Sequence, residues 1–358
     1  PNFSASSIIV SVIFTMMNKC CIQFTADFVS SLLCKYFIDN LNLRISILIS
    51  SILSKFPDFF KILLNYGIFE KLDALEASIN PNEKPRFREI TFYIYLRICQ
   101  SYDETLYEVY LQILRIVLES IIQEDNMTIF GCQIFCLCKI IKHNHSLYQF
   151  LIGQRVLSYI NSVFVENNPN KIELVICLLR QILEYVEEIV EPLSEQLSLN
   201  LLMNLVDLNQ QSCKMALECV RNILTEKIYP LEVIVETNFP MRMVAILQEG
   251  SFEQKSLALQ CLNNLYLVYN CHLPAIYSIE AIDCILAQLL DFTFISSNDD
   301  FESLKTIIFS LMHDGIDIHP NEMIELFQNI ANDSNDDLAI QCQYIIQQMD
   351  ALVAQIEN

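Results

Sequence analysis

The chain has 358 residues, of which 53% are hydrophobic and 18% charged, so it can bury a large core and is not intrinsically disordered. Only 5 residues are Gly and 10 are Pro, which is scarce for folds built on sheets or phosphate-binding loops and favours an all-helical chain. The formal net charge of −21 disfavours nucleic acids and anionic membranes as partners and would attract a basic polypeptide segment, although acidity also keeps an apolar chain soluble.

The first apolar stretch, residues 6–18, carries no charge and is closed by Lys19. It is shorter than the roughly 20 residues that cross a membrane. It also shows neither the basic start nor the small-residue cleavage site of a signal peptide. We therefore expect a buried first helix around Ile13 and no membrane-spanning segment.

A helical segment recurs along the chain with a period of about 42 residues. Its copies include ISSILSK at 49–55, LCKIIKH at 137–143 and VRNILTE at 220–226. The central apolar residue of each copy, here called the anchor, is Ile52, Ile98, Ile140, Ile182, Ile223, Leu265 or Leu311, with an earlier copy near Ile13 and a truncated one near Ile345. Four successive intervals between anchors measure 42, 42, 41 and 42 residues, and such a period is typical of armadillo and HEAT repeats.

The residues between anchors predict two further helices in most repeats. After Ile52, a short apolar stretch, PDFFKILLNY, is followed by Gly67 and then by IFEKLDALEAS. Similar breaks between helices are predicted 15 residues after the anchor at Gly67, Asn238 and Glu280, and 13 residues after it at Gly153. Gly and Asn suit the left-handed backbone that ends one helix before the next begins. Three helices per repeat, the first one short, favour armadillo over two-helix HEAT repeats, whereas the long connections after Ile98 and Leu311 fit neither pattern well.

We therefore predict an all-α fold: a single right-handed α-solenoid of about eight armadillo or HEAT-like repeats over residues 1–358. A repeat of this kind cannot bury its own apolar face, so neighbours stack and share a continuous core. The third helix of each repeat would then line a concave wall that binds an extended polypeptide or a partner helix. Function would reside in exposed side chains at fixed offsets from the anchors.

Two of the predicted third helices, SCKMALECVRNIL at 212–224 and EQKSLALQCLNNLY at 253–266, resemble the third helix of an armadillo repeat of importin-alpha. That family has a Trp and, four residues later, an Asn on each third helix. The Asn holds the backbone of an extended basic signal, and the Trp faces pack the Lys and Arg stems. In this chain the Asn position lies one residue before the anchor, and the Trp position lies five residues before it.

The resemblance implies a peptide-binding wall made of side chains at these two positions. The candidate residues are Asn222, Asn264, Glu218, Gln260, Gln181, Tyr93 and Phe135. Asn is retained in two repeats, and an aromatic residue replaces Trp in two others. In those same two repeats Arg97 and Lys139 occupy the Asn position, where they would repel a basic peptide.

No residue pattern indicates catalysis, a cofactor or a metal. The motifs GxSxG, HExxH and GxGxxG do not occur. The nearest metal constellation, made of Cys136, Cys138, His143 and His145, does not have the spacing of a structural zinc site. Most of the 14 cysteines stand in apolar helical stretches, which indicates buried free thiols in a reducing compartment, cytoplasmic or nuclear.

The sequence thus predicts a protein-binding chain that is not an enzyme and has no cofactor, no nucleic-acid or membrane partner and no small-molecule substrate. The specific hypothesis is an importin-alpha-like adaptor that holds Lys/Arg-rich nuclear-localisation segments for nuclear import. The alternative is a general armadillo or HEAT scaffold of a cytoskeletal, trafficking or degradation complex, whose partner binds through other residues.

Overall fold

The all-α prediction is confirmed in the computed structural model. The structure describes residues 35, 37–39, 41–54, 59–101, 103–143, 145–185, 190–207, 212–290, 297–333 and 336–356. These residues contain α-helices and short 3-10 turns but no β-strand. Within the same ranges, no helix combines the length and the apolar character needed to cross a membrane. The helix expected around Ile13 lies outside the described residues.

The chain divides into two compact units, with the boundary between Gln154 and Arg155. Unit 1 contains seven described helices: α1 Leu43–Leu53, α2 Phe59–Asn65, α3 Ile68–Ser78, α4 Lys84–Gln100, α5 Tyr107–Ile121, α6 Met127–His143 and α7 His145–Gly153. Unit 2 contains twelve: α8 Val156–Glu166, α9 Pro169–Leu183, α10 Val190–Gln196, α11 Leu199–Leu205, α12 Cys213–Thr225, α13 Leu231–Glu236, α14 Phe239–Glu249, α15 Phe252–Tyr269, α16 Ile279–Leu289, α17 Asn298–His313, α18 Pro320–Asp333 and α19 Asp336–Ile356. A single solenoid over residues 1–358 stays a prediction.

Each predicted anchor from position 52 onward is buried on its own helix, which we call the anchor helix. The anchor helices are α1, α4 and α6 in unit 1 and α9, α12, α15, α17 and α19 in unit 2. The anchors Ile182, Ile223, Leu265 and Leu311 have no exposed surface. Burying one such side chain contributes about 1.5–3 kcal/mol, so the recurring anchors mark the core.

Successive anchor helices from α1 to α6 in unit 1 and from α9 to α17 in unit 2 pack directly on one another. In unit 1, α1 packs on α4 and α4 on α6; in unit 2, α9 packs on α12, α12 on α15 and α15 on α17. Second helices also pack in series, since α8 contacts α11 and α14 contacts α16. Stacked repeats that share a core in this way are the arrangement that the period predicted.

Four intervals between anchor helices follow the three-helix pattern, and three contain a single α-helix. Two helices separate α1 from α4, α6 from α9, α9 from α12, and α12 from α15. After Ile98, however, a 3-10 turn and the one long helix α5 fill the interval to α6. After Leu311, the single helix α18 precedes α19. After Leu265, a 3-10 turn at Leu273–Ala275 and the single helix α16 lie between α15 and α17. These three repeats are therefore helical pairs of the HEAT kind among repeats of the armadillo kind.

The backbone breaks between the first and second helices recur 15 residues after the anchor. Gly67, Arg155 and Asn238 stand at that offset and all have a left-handed backbone, with φ of 69°, 59° and 62°. The break predicted at Gly153 was wrong by two residues, because Gly153 ends α7 and Arg155 makes the turn. The break predicted at Glu280 was also wrong: Ser278 caps α16, and Glu280 lies in its first turn.

Three anchor helices of unit 2 are followed by a residue with a left-handed backbone, four or five positions after the anchor. These residues are Lys227, Asn270 and Gly315. In each case a backbone N–H beyond the turn donates to the carbonyl of the anchor itself: Ile228 to Ile223 at 3.2 Å, Cys271 to Leu265 at 3.1 Å and Ile316 to Leu311 at 3.0 Å. Such a C-terminal cap satisfies a helix-end carbonyl, and it fixes where the chain leaves each anchor helix.

Candidate functional site

The first candidate surface lies on the anchor helices of unit 1. The residue five positions before the anchor is Ile47 on α1, Tyr93 on α4 and Phe135 on α6, and these side chains are 36%, 40% and 46% exposed. Five residues turn a helix by about 140° beyond one full turn, so a side chain at this offset points away from the core that holds the anchor. We call this row of three exposed side chains the unit 1 wall.

Two cations lie beside the unit 1 wall. Arg97 follows Tyr93 by four residues and Lys139 follows Phe135 by four, so each pair occupies one helix face. Both basic residues are half-buried, and Arg97 Nη1 donates to Gln100 Oε1 at 2.9 Å. The unit 1 wall therefore combines apolar and aromatic surface with positive charge.

The second candidate surface lies on the anchor helices of unit 2, and polar side chains cross-link it. Arg180 Nη1 on α9 lies 2.9 Å from Glu218 Oε2 on α12. The pKa of Arg180 is raised, chiefly by this hydrogen bond to Glu218. Between the next two anchor helices, Arg221 Nη1 on α12 donates to Gln260 Oε1 on α15 at 3.0 Å.

The series of polar contacts between anchor helices continues from α15 to α17. Gln260 Nε2 donates to Asp300 Oδ1 at 3.1 Å, and Ser256 also donates to this carboxylate. Asp300 is buried, and a buried carboxylate is costly unless donors such as these two satisfy it. The three helix contacts of this surface, α9 with α12, α12 with α15 and α15 with α17, are thus each held by a hydrogen bond or an ion pair. These bonds lie at or near the predicted peptide-binding positions.

A cleft of about 420 Å³ opens on the unit 2 surface. Its lining comes from α12, α15 and α17: Arg221, Thr225, Gln260, Asn263, Asn264, Asp299, Glu302 and Ser303. One cation and two carboxylates, with amides and hydroxyls between them, make this lining strongly polar. We call these eight residues the unit 2 cleft.

All seven sequence-predicted site residues lie on anchor helices. The structure brings Glu218, Asn222, Gln260 and Asn264 together on the neighbouring helices α12 and α15. Gln181 lies on α9, where its amide donates to Glu184 of the same helix end. Tyr93 and Phe135 belong to the unit 1 wall, and Gln260 and Asn264 line the unit 2 cleft.

Sequence reasoning missed several residues of the unit 2 cleft. Arg221 stands two positions before its anchor, beside the predicted Asn222, and its guanidinium donates to Asn222 Oδ1 as well as to Gln260. Asp299 and Glu302 lie in the first turns of α17, where an acidic residue is ordinary because of the helix dipole. Arg221 could have been found by including the position two residues before the anchor. Its partner in the next repeat, however, is not predicted by any pattern within one repeat.

Comparison with solved structures identifies the fold. The chain is similar to an engineered protein at 13% identity, with 88% of this chain and 77% of that chain covered and a TM-score of 0.61. It is also similar to computationally designed armadillo repeat proteins for modular peptide recognition, at 15% identity, with 67% of this chain and 98% of that chain covered and a TM-score of 0.52. The sequence matches no protein-family model and no curated protein. The chain therefore has the armadillo-repeat fold, as the repeat period and the three helices per repeat predicted.

Proposed function

We propose that this chain is a non-enzymatic scaffold that binds an extended polypeptide segment along its anchor helices. The observation that carries the proposal is the unit 1 wall: Ile47, Tyr93 and Phe135 are exposed at the same offset on three helices that pack in series. Single exposed apolar residues are ordinary on protein surfaces. A row of them at one repeat position is the pattern of an interaction site.

The spacing of the wall suits an extended segment. Packed helices lie about 8–10 Å apart, and an extended chain advances about 3.3 Å per residue. Every second or third side chain of a bound segment would therefore meet one wall residue. Tyr93 and Phe135 would supply aromatic faces against which such a side chain packs. The structural neighbours designed for peptide recognition support this use of the fold.

The narrower form of the proposal is an importin-alpha-like adaptor that carries a Lys/Arg-rich segment between cytoplasm and nucleus. The net charge of −21 and the carboxylates of Asp299 and Glu302 in the unit 2 cleft favour a basic segment at unit 2. Arg97 and Lys139 beside the unit 1 wall oppose it, so the basic segment would have to bind at unit 2. The competing form is a general scaffold whose partner is apolar or acidic and binds the unit 1 wall.

Peptide selection against the whole chain tests the proposal. A phage-displayed library of linear peptides is selected on the immobilised protein, and one enriched peptide is measured by fluorescence anisotropy. We expect Tyr93→Ala combined with Phe135→Ala to weaken binding at least about tenfold, since aromatic residues contribute much of the energy at such interfaces. Ile122→Ala is the matched control, because Ile122 is 69% exposed in unit 1 but lies off the anchor helices.

The outcomes separate the two forms. Equal binding of the enriched peptide to the wild type and the double variant, with Ile122→Ala also silent, would refute the wall as the binding surface. A short Lys/Arg-rich peptide is measured in parallel at low and high salt. Salt-sensitive binding that Asp299→Asn weakens would support the adaptor form, and no binding at low salt would exclude it.

A further inference from the structure

Two histidines and an aspartate from neighbouring repeats meet at the ends of α15 and α17. His272 follows α15, His313 is the last residue of α17, and Asp314 caps α17. His272 Nδ1 lies 2.5 Å from Asp314 Oδ1, and His313 Nδ1 lies 3.8 Å from the same oxygen. One ligand atom from each residue falls within 4.8 Å of the others, and these are the one group of three or more His, Cys, Asp or Glu side chains with that geometry in the described ranges.

The backbone fixes this arrangement in place. Asn270 and Gly315 have left-handed backbones that end the two helices, and the N–H groups after them are tied back to the anchor carbonyls. The two imidazole rings stack with centroids 6.2 Å apart and planes 24° from parallel. The Tyr266 and His272 rings are nearly perpendicular, with centroids 6.1 Å apart, and this contact restrains the imidazole further. The cluster is therefore held by rigid parts of both repeats.

The donor set has the chemistry of a metal site. Two imidazole nitrogens and one carboxylate oxygen suit Zn²⁺ and neighbouring divalent transition metals. Asp314 has a second, independent feature: its Oδ2 is buried and has no hydrogen-bond partner among the described residues. An orphaned buried carboxylate oxygen is costly unless a cation or donor compensates it. The carbonyl end of α17 also carries partial negative charge, which favours a cation.

We propose that His272, His313 and Asp314 bind one divalent transition-metal ion, with Zn²⁺ as the representative, and that the ion links two adjacent repeats. Metal–ligand bonds of about 2.0–2.2 Å require ligand atoms roughly 3–4 Å apart. The 3.8 Å pair already satisfies this condition, and the 2.5 Å pair must open by about 1 Å as its hydrogen bond is replaced by two metal bonds. Rotation of His313, which is 78% exposed, brings in the third ligand and leaves at least one coordination position open.

Local sequence patterns do not reveal this site, because its ligands stand in different repeats. His272 and Asp314 are 42 residues apart, which is one repeat period, so stacking places them side by side. Local spacings such as that of Cys136 and Cys138 predict no metal here, because they compare only residues of one repeat. Because the stability of a stacked array depends on the contact between neighbouring repeats, a bridging ion would stabilise the α15–α17 junction.

The competing explanation is that His272 and Asp314 form an ion pair only. His313→Ala separates the two explanations, because it removes a metal ligand and leaves the 2.5 Å pair intact. Asp314→Asn is the second variant, and His143→Ala, an exposed histidine on α6, is the matched control. The full chain is treated with chelator, dialysed and titrated with Zn²⁺ by calorimetry. Thermal unfolding is then recorded with and without the ion.

We expect one equivalent of Zn²⁺ to bind, to raise the melting temperature and to bind at least about tenfold more weakly to His313→Ala and Asp314→Asn. The control variant should match the wild type. Because the chain holds 14 cysteines, Co²⁺ absorption identifies the ligands: nitrogen and oxygen ligands give only weak visible bands, whereas thiolates add an intense near-ultraviolet band. Unchanged affinity in His313→Ala, no saturable binding to the wild type, or a thiolate band that survives both variants would each overturn the proposal.

Discussion

Asn264 Nδ2 on α15 donates a hydrogen bond of 2.9 Å to Thr225 Oγ1 on α12. The same amide approaches the carbonyl of Arg221 at 3.4 Å. An Asn at this position was predicted to hold the backbone of a bound peptide, yet here its donor group joins two repeats. Asn222, the equivalent residue one repeat earlier, instead accepts from its own neighbour Arg221. The two asparagines therefore differ in role although they occupy the same offset.

Asn264→Ala should lower the free energy of unfolding, whereas Asn222→Ala should change it little. Loss of one inter-repeat hydrogen bond costs about 0.5–1.5 kcal/mol, and a surface change without such a bond stays within about 0.5 kcal/mol. Urea denaturation followed by circular dichroism measures both. Thr225→Val completes a double-mutant cycle, which should show coupling with Asn264→Ala and none with Asn222→Ala. Equal losses from the two Asn variants would contradict the distinction.

Tyr229→Phe should destabilise unit 2 more than any other loss of a single tyrosine hydroxyl there. Tyr229 is buried, and its Oη donates to the carbonyl of Leu197 at 2.6 Å in the preceding repeat. Tyr269 Oη, at the end of α15, in turn donates to the Tyr229 carbonyl at 3.0 Å, so Tyr229 is hydrogen-bonded on both sides. Removing a buried donor leaves its acceptor unsatisfied, at a cost of about 1–3 kcal/mol.

The measurement is again the free energy of unfolding, with Tyr344→Phe as the control. Tyr344 is 61% exposed on α19, so its hydroxyl can exchange a lost contact for water. We expect the control to lie within about 0.5 kcal/mol of the wild type. A Tyr229→Phe protein as stable as the control would show that the Leu197 hydrogen bond contributes nothing net.

The repeat register was predictable from sequence because it depends on one residue type at one period. Ile223 and Leu265 could be found because a buried position in every repeat demands a large apolar side chain. The turn at Arg155 could not be predicted, because Arg, unlike the Gly at position 67, is not a residue type that signals a left-handed backbone. The pairs Arg180 with Glu218 and His272 with Asp314 could not be predicted either, because each joins two repeats. One sequence does not show which positions of neighbouring repeats are in contact.

Asp103→Asn should remove a stabilising contribution that depends on pH. Asp103 Oδ2 lies 2.6 Å from Lys61 Nζ, and Oδ1 accepts from both the hydroxyl and the backbone N–H of Thr105. The Lys61 hydrogen bond, followed by those from Thr105, holds the pKa of Asp103 well below its ordinary value. A carboxyl whose pKa is lower in the folded chain stabilises it above the unfolded pKa of about 3.9, and that stabilisation is lost as the pH falls toward the folded pKa.

The melting temperature of Asp103→Asn should therefore lie below that of the wild type at pH 7, and the gap should narrow as the pH falls below about 4. Differential scanning calorimetry over this range measures the gap. Lys61→Met supplies the control, because without the Lys61 ammonium the effect of Asp103→Asn should shrink at every pH. A gap that stays constant down to the lowest pH at which the chain folds would contradict the assignment.

Alkylation of the cysteines should follow burial and thiolate population. The described cysteines are free thiols, and burial raises the pKa of Cys213 to about 11 and that of Cys261 to about 12. Since the thiolate is the nucleophile, a thiol with a pKa near 11 is ionised in roughly one molecule per thousand at pH 8. In the folded chain, iodoacetamide should therefore label the half-buried Cys138 and Cys284 well before Cys213 and Cys261. A peptide-resolved mass-spectrometric time course at pH 8 measures the order, and the same time course in denaturant should abolish it. If Cys213 or Cys261 reacts as fast as Cys284 without denaturant, the stacked core opens far more often than its buried anchors imply.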